Sequence, residues 1–183
     1  MKKLFIVFIV GSLFCCKQQD GARIEEYDST SFETKNGVLF FKGTPFYGVL
    51  HSYDSINETR NVISYLNGKK HGEERKLYSN NKPAEHRTYE RGIKVGIHKG
   101  WWKNGQQKFE YVFNDQGYYH GKLREWYANG QLFKAFQYEN GVEVGSQKMW
   151  LSNGNIRANF TVVNGERFGL IGLKKCITIN DEK

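Results

Sequence analysis

Apolar and polar residues alternate in short runs over most of the chain. In the clearest run Ile156, Ala158, Phe160 and Val162 fall on one side, and Arg157, Asn159 and Thr161 on the other. A period of two is that of a β-strand with one buried face, because successive side chains point to opposite sides of the pleat. Between such runs stand Asn104-Gly105, Asn129-Gly130 and Asn153-Gly154, each preceded by an apolar pair: Trp101-Trp102, Trp126-Tyr127 and Trp150-Leu151. Asn-Gly between alternating runs predicts a hairpin closed by a type I′ turn, in which both central residues need positive φ. A weaker copy reads Leu77-Tyr78 followed by Asn80-Asn81.

These hairpins recur at a fixed period. Gly68, Gly92, Gly117, Gly141 and Gly165 are separated by 24, 25, 24 and 24 residues, and Gly72, Gly96, Gly121, Gly145 and Gly169 each follow four residues later. The longer interval falls where Asn114-Asp115-Gln116-Gly117 replaces the shorter Glu139-Asn140-Gly141, so the extra residue sits in a turn. Gly43 and Gly48, followed by Tyr53, form a degenerate first unit. The pattern predicts an all-β fold, an elongated antiparallel sheet of successive β-hairpin repeats.

Residues 36 to 172 resemble MORN-type repeats in their bacterial variant. Tyr138-Glu139-Asn140-Gly141-Val142-Glu143-Val144-Gly145 and Trp126-Tyr127-Ala128-Asn129-Gly130 carry the resemblance. Many secreted or lipid-anchored bacterial proteins of this kind are grouped under the label YwqK-like antitoxins. The resemblance implies the same elongated sheet, in scaffold, membrane-association or partner-binding roles.

The turns also predict facing, since residues flanking a two-residue loop pair and share a side. Lys103 then pairs with Gln106, and Trp102 with Gln107, on the side of Phe109, Tyr111 and Phe113. The same count puts Tyr127 with Leu132, Phe136 and Tyr138, and Leu151 with Ile156, Ala158, Phe160 and Val162. That side is the expected core. On the opposite, mainly polar side Leu77, Trp101, Trp126 and Trp150 recur at one repeat position, with Lys108, Phe133 and Arg157 expected across from the three tryptophans. Equivalent residues of successive hairpins stand roughly 9.6 Å apart, so the three rings make a stripe about 20 Å long. Trp101, Trp126, Trp150, Lys108 and Arg157 are the candidate partner-binding residues. Packing under a flanking segment, with the cations lying over the rings, is the competing expectation.

Composition narrows the class. With 183 residues, 20 Gly against 2 Pro and 15% aromatic residues, the chain is built for turns and strands, and an all-helical bundle is nearly excluded. A formal charge of +8 suits an anionic partner. The start of the chain argues against nucleic acid, because Lys2 and Lys3 precede the apolar run Leu4 to Phe14, which reads as a secretory leader. That run is shorter than the roughly 20 residues of a spanning helix. Leu13-Phe14-Cys15-Cys16 resembles a relaxed bacterial lipobox with Cys16 as the acylated residue. The expected organisation is a signal peptide at 1–15, a lipidated polar tether at 16–31 and the repeat domain at 32–183, with the protein exported and held at the cell envelope. Cys176 reads as a small apolar residue of a terminal strand, Lys175 to Ile179.

Catalytic or metal chemistry is not predicted. His71 and His120 occupy one repeat position two units apart, roughly 19 Å, too far to share an ion. His51, His86 and His98 show no ligand spacing, and neither a Gly-x-Ser-x-Gly nor a phosphate-loop sequence occurs. The Gly-x-x-x-Gly pairs read as turn and strand-entry glycines. The expectation is a non-enzymatic, cofactor-free interaction or scaffold module, lipid-anchored to a membrane, that presents its sheet to a protein or glycan partner. The family label offers the alternative of an antitoxin-like inhibitor masking a toxin.

Overall fold

The computed structural model describes residues 22–172. The leader, Cys16, and the predicted strand holding Cys176 lie outside the described residues. Within them the chain is all-β: β1 (Arg23–Glu26), β2 (Phe32–Lys35), β3 (Val38–Phe41), β4 (Thr44–Pro45), β5 (Gly48–Asp54), β6 (Thr59–Leu66), β7 (Lys69–Tyr78), β8 (Pro83–Glu90), β9 (Ile93–Lys94), β10 (Gly96–Trp101), β11 (Gln107–Phe113), β12 (Gly121–Trp126), β13 (Leu132–Glu139), β14 (Val142–Glu143), β15 (Gly145–Trp150), β16 (Ile156–Val163) and β17 (Glu166–Leu170). One long sheet runs β1-β5-β6-β7-β8-β10-β11-β12-β13-β15-β16-β17, with β9 beside β8 and β14 beside β13. From β5 onward every pairing in it is antiparallel and joins strands consecutive in sequence, apart from the short β9 and β14, which are passed over between β8 and β10 and between β13 and β15.

Residues 16–31 are not all tether. Arg23–Glu26 pairs in parallel with β5, and Asp28 closes the next turn by accepting N–H groups from Thr30 and Ser31 at 2.9 and 2.8 Å. The segment's low apolar content hid a strand held by backbone hydrogen bonds, with Ile24 75% exposed.

The Asn-Gly turns depart from type I′. Gly105 N–H donates to Trp102 C=O, and Trp102 N–H to Gln106 C=O, both at 2.8 Å. Gly105 sits at φ +89°, whereas Asn104 keeps negative φ. This is a three-residue loop, a type I turn completed by one left-handed glycine, and it recurs at Gly130 and Gly154. The cause is local. Asn104 Oδ1 accepts the Gln106 N–H at 3.0 Å, an Asx turn that Asn129 and Asn153 repeat with Gln131 and Asn155 at 3.0 Å each. Type I′ geometry belongs to the opposite hairpin ends, where Asn67-Gly68, Arg91-Gly92, Asn140-Gly141 and Asn164-Gly165 all have positive φ at both residues.

The core lies where alternation put it. Phe109, Phe113, Leu123, Phe136, Ala158, Phe160 and Val162 are buried on one side of the sheet. Tyr111, Tyr119, Tyr138 and Met149 pack against the carboxy-terminal part. Over the first strands the small sheet β2-β3-β4 supplies a cover, with Phe32, Leu39, Phe41 and Phe46 clustering on Leu50 and Tyr65. Each fully buried aromatic contributes roughly 1.5–3 kcal/mol. Ile156, expected in this layer, is 51% exposed because it stands at a bulge opposite Trp150.

Two buried polar side chains repair the sheet. Beside β9 and β14 the neighbouring strands part, leaving backbone groups of Thr88 and Gln137 facing a gap. His98 fills the first, its Nε2 2.9 Å from Thr88 O, and Gln147 fills the second. Both are 0% exposed and occupy the same repeat position, two residues after the second glycine of the pair. Burial holds His98 below its ordinary pKa, so the imidazole is neutral.

Candidate binding face

The two adjacent aromatic positions before each Asn-Gly turn do different work. The second carries a polar tip that donates to a backbone carbonyl of the following repeat. Tyr78 OH donates to Trp101 O at 2.8 Å, Trp102 Nε1 to Trp126 O at 3.0 Å, and Tyr127 OH to Trp150 O at 3.0 Å. Asn104 and Asn129 add parallel bonds from their amides to Ala128 O and Ser152 O. The acceptors are the backbones of the candidate tryptophans, so this ladder fixes the spacing of that row. Sequence reasoning treated the second aromatic as core filling only. Its signal was present in three of the four pairs, where Tyr78, Trp102 and Tyr127 carry a donor at this position; only Leu151 of the last pair has none.

Trp101, Trp126 and Trp150 themselves are half-buried. Alternation along each strand places them on the side of Lys99, Arg124 and Lys148, away from the core. Their expected partners are corrected. A bulge at each turn makes Trp101 pair with Gln107, Trp126 with Leu132 and Trp150 with Ile156. The displaced residue turns to the second aromatic instead: Lys108 Nζ lies 4.6 Å over the Trp102 ring, and the Phe133 ring meets Tyr127 at 5.1 Å. Arg157 holds the equivalent bulge position beside Trp150 and is exposed. The structure therefore brings the three tryptophans into one row but does not set Lys108 against Trp101.

Lys108 belongs to a second feature, an open groove of about 630 Å³ at the turn edge. Tyr78, Trp102, Lys76, Glu85, Lys103 and Lys108 line it, with Ile56 at its rim. Glu85 is half-buried, which alone would raise its pKa; Arg87 at 2.8 Å and Lys76 at 3.4 Å outweigh that and hold it below the usual carboxylate range, hence ionised. Lys103 is occupied by Glu58 at 2.7 Å.

The histidines that shared a repeat position are turn caps. His71 Nδ1 accepts the Arg91 N–H at 3.4 Å and His120 Nδ1 the Asn140 N–H at 3.5 Å. Among the described residues no group of His, Cys, Asp and Glu is arranged to hold a metal ion.

Fold and face together define a protein of the all-β, hairpin-repeat class. No family model matches the chain, and no curated protein matches it. Similar solved structures include the S. aureus TarM G117R mutant in complex with Fondaparinux, alpha-GlcNAc-glycerol and UDP, at 13% identity and a TM-score of 0.28, over 52% of this chain and 21% of that one. Another is alternansucrase in complex with isomaltononaose, at 13% identity and a TM-score of 0.17, over 76% of this chain and 16% of that one. The chain thus spans only a small part of either, and overlaps this slight carry no argument about fold or function.

Proposed function

We propose that this is a non-catalytic interaction module of the MORN-like repeat kind, anchored at the cell envelope by a lipid on Cys16, that grips a partner through its tryptophan face. One observation carries the reading: tryptophan recurs at one repeat position on the side turned away from the core, and the carbonyls of Trp101, Trp126 and Trp150 are each pinned by the repeat before. The three tryptophans are not part of the buried core, and a row of half-exposed rings on the outer face suits recognition of a partner.

Photo-cross-linking in whole cells tests it. A benzophenone amino acid at position 126 is expected to trap a discrete adduct, and the same residue at position 56, on the far rim of the turn edge, is expected to trap none. Equal labelling at both positions, or none at 126, overturns the reading. If the adduct is a toxin whose activity the module suppresses, the module is an inhibitor. The anchor has its own test: a fatty-acid probe should label the wild type and not Cys16→Ser.

A further inference from the structure

In four of the five repeats a cation stands three residues after the second glycine of the Gly-x-x-x-Gly pair: Arg75, Lys99, Arg124 and Lys148. The register makes these four a single row. Arg75 pairs with His86, His86 with Lys99, Lys99 with Glu110, Glu110 with Arg124, Arg124 with Ala135 and Ala135 with Lys148. Directly paired residues share a face, so the cations stand on every second strand, roughly 9.6 Å apart and about 29 Å from end to end. Two residues farther along the same strands come Leu77, Trp101, Trp126 and Trp150, which puts the apolar row alongside at about 7 Å.

The row is short of acid at its carboxy-terminal end. Glu73 engages Arg75, and Glu110 is divided between Lys99 at 3.5 Å and Arg124 at 3.3 Å. Lys148 and the neighbouring Lys122 make no ion pair among the described residues. Small Ala135 leaves a depression of about 250 Å³ between Arg124 and Lys148, edged by Lys122, Gln137 and Ser146.

We infer that this face binds a linear acidic polysaccharide laid across the strands, its charged groups on the cation row and its sugar rings against the tryptophans. The inference rests on the reading of the tryptophan face as a recognition surface and names the ligand of that face. One cation per repeat matches a polymer whose charge recurs at a fixed interval. The interior strands spend their backbone groups on each other, so an extended peptide gains no main-chain bonds here. Gln137, Ser146 and Asn159, interspersed among the cations, offer the neutral hydrogen bonds that sugar hydroxyls use.

The test is titration of the purified full-length protein with hyaluronan oligosaccharides, which carry one carboxylate per disaccharide, read by tryptophan emission and calorimetry. Binding is expected to weaken with salt and to be absent for neutral dextran of equal length. Lys99→Gln and Lys148→Gln should each weaken it by roughly two- to five-fold, as exposed charges do, whereas Lys69→Gln, with the same change in net charge, should not. Glu110→Gln should tighten it by freeing two cations. Equal losses in Lys69→Gln, equal affinity for polyglutamate of matched charge, or no binding of the acidic sugar each overturn the inference. Failure of the wider reading looks different. If position 126 still traps an adduct while hyaluronan does not bind, the recognition face stands and the ligand class falls; if the cation variants act and Trp126→Ala does not, the tryptophan face itself is refuted.

Discussion

Replacing Gln147 by leucine should be among the most damaging changes of comparable volume in the sheet. Its Oε1 accepts the Gln137 N–H at 3.1 Å, and its Nε2 donates to Gln137 O and Val144 O at 2.9 Å each. Gln137 O keeps a second donor in Val144 N–H at 3.0 Å, so the substitution orphans two groups, the Gln137 N–H and the Val144 carbonyl. At about 1–3 kcal/mol for each of the two buried unsatisfied groups, less about 1 kcal/mol for the added apolar burial, Gln147→Leu should cost about 1–5 kcal/mol. Gln147→His should cost less than about 1 kcal/mol, because His98 meets the same need at the equivalent position with its Nε2 2.9 Å from Thr88 O. Urea unfolding followed by tryptophan emission measures both as midpoint shifts at constant slope. A leucine variant within about 0.5 kcal/mol of wild type, or a histidine variant as unstable as leucine, would refute the account of the gap.

Burial depresses the His98 pKa, so the stability its neutral form provides is complete above the ordinary value of 6.5 and is lost as pH falls below it, where the unfolded chain takes up a proton that the folded one refuses. Comparing unfolding of the wild type and His98→Gln between pH 7 and pH 5 should show the steeper loss in the wild type; parallel curves contradict it. Tyr127→Phe removes the bond to Trp150 O and should cost about 1 kcal/mol in thermal unfolding, against no measurable change for an exposed tyrosine such as Tyr53. Gly100→Ala should cost about 1–3 kcal/mol although Gly100 has ordinary φ, since the new methyl would run into the Phe109 ring; a neutral result would mean that the ring moves freely.

The sheet was legible because its signals are local. Alternation in Ile156 to Val162 and the fixed glycine spacing specify strands, order and buried side without long-range information. The turn type was not legible, since Asn-Gly serves both hairpin ends. At Asn140 it is a type I′ turn, whereas at Asn104 the side chain captures the Gln106 N–H and keeps its own φ negative. The strand Arg23–Glu26 escaped because a parallel edge strand with an exposed isoleucine carries no apolar period. His98 and Gln147 escaped for a related reason: a buried polar residue reads as surface until the gap it fills is known.

The candidate face shows which inferences survive a bulge. Within one strand the side of a residue follows from counting by twos, so Trp101 had to share a face with Lys99, Trp126 with Arg124 and Trp150 with Lys148. Across a turn the count holds only while the loop has the assumed number of residues. The bulge beside each tryptophan absorbs the difference, restoring the expected register at Gly100 and Phe109 while sending Lys108 to Trp102. The cations that accompany the tryptophans are therefore those two residues earlier on the same strand, a placement that does not depend on the turn. The ladder strengthens the point, because Tyr78, Trp102 and Tyr127 tie each tryptophan backbone to the preceding hairpin. Changing turn chemistry should disturb Lys108 and the turn-edge groove first, and leave the paired rows of cations and tryptophans in register.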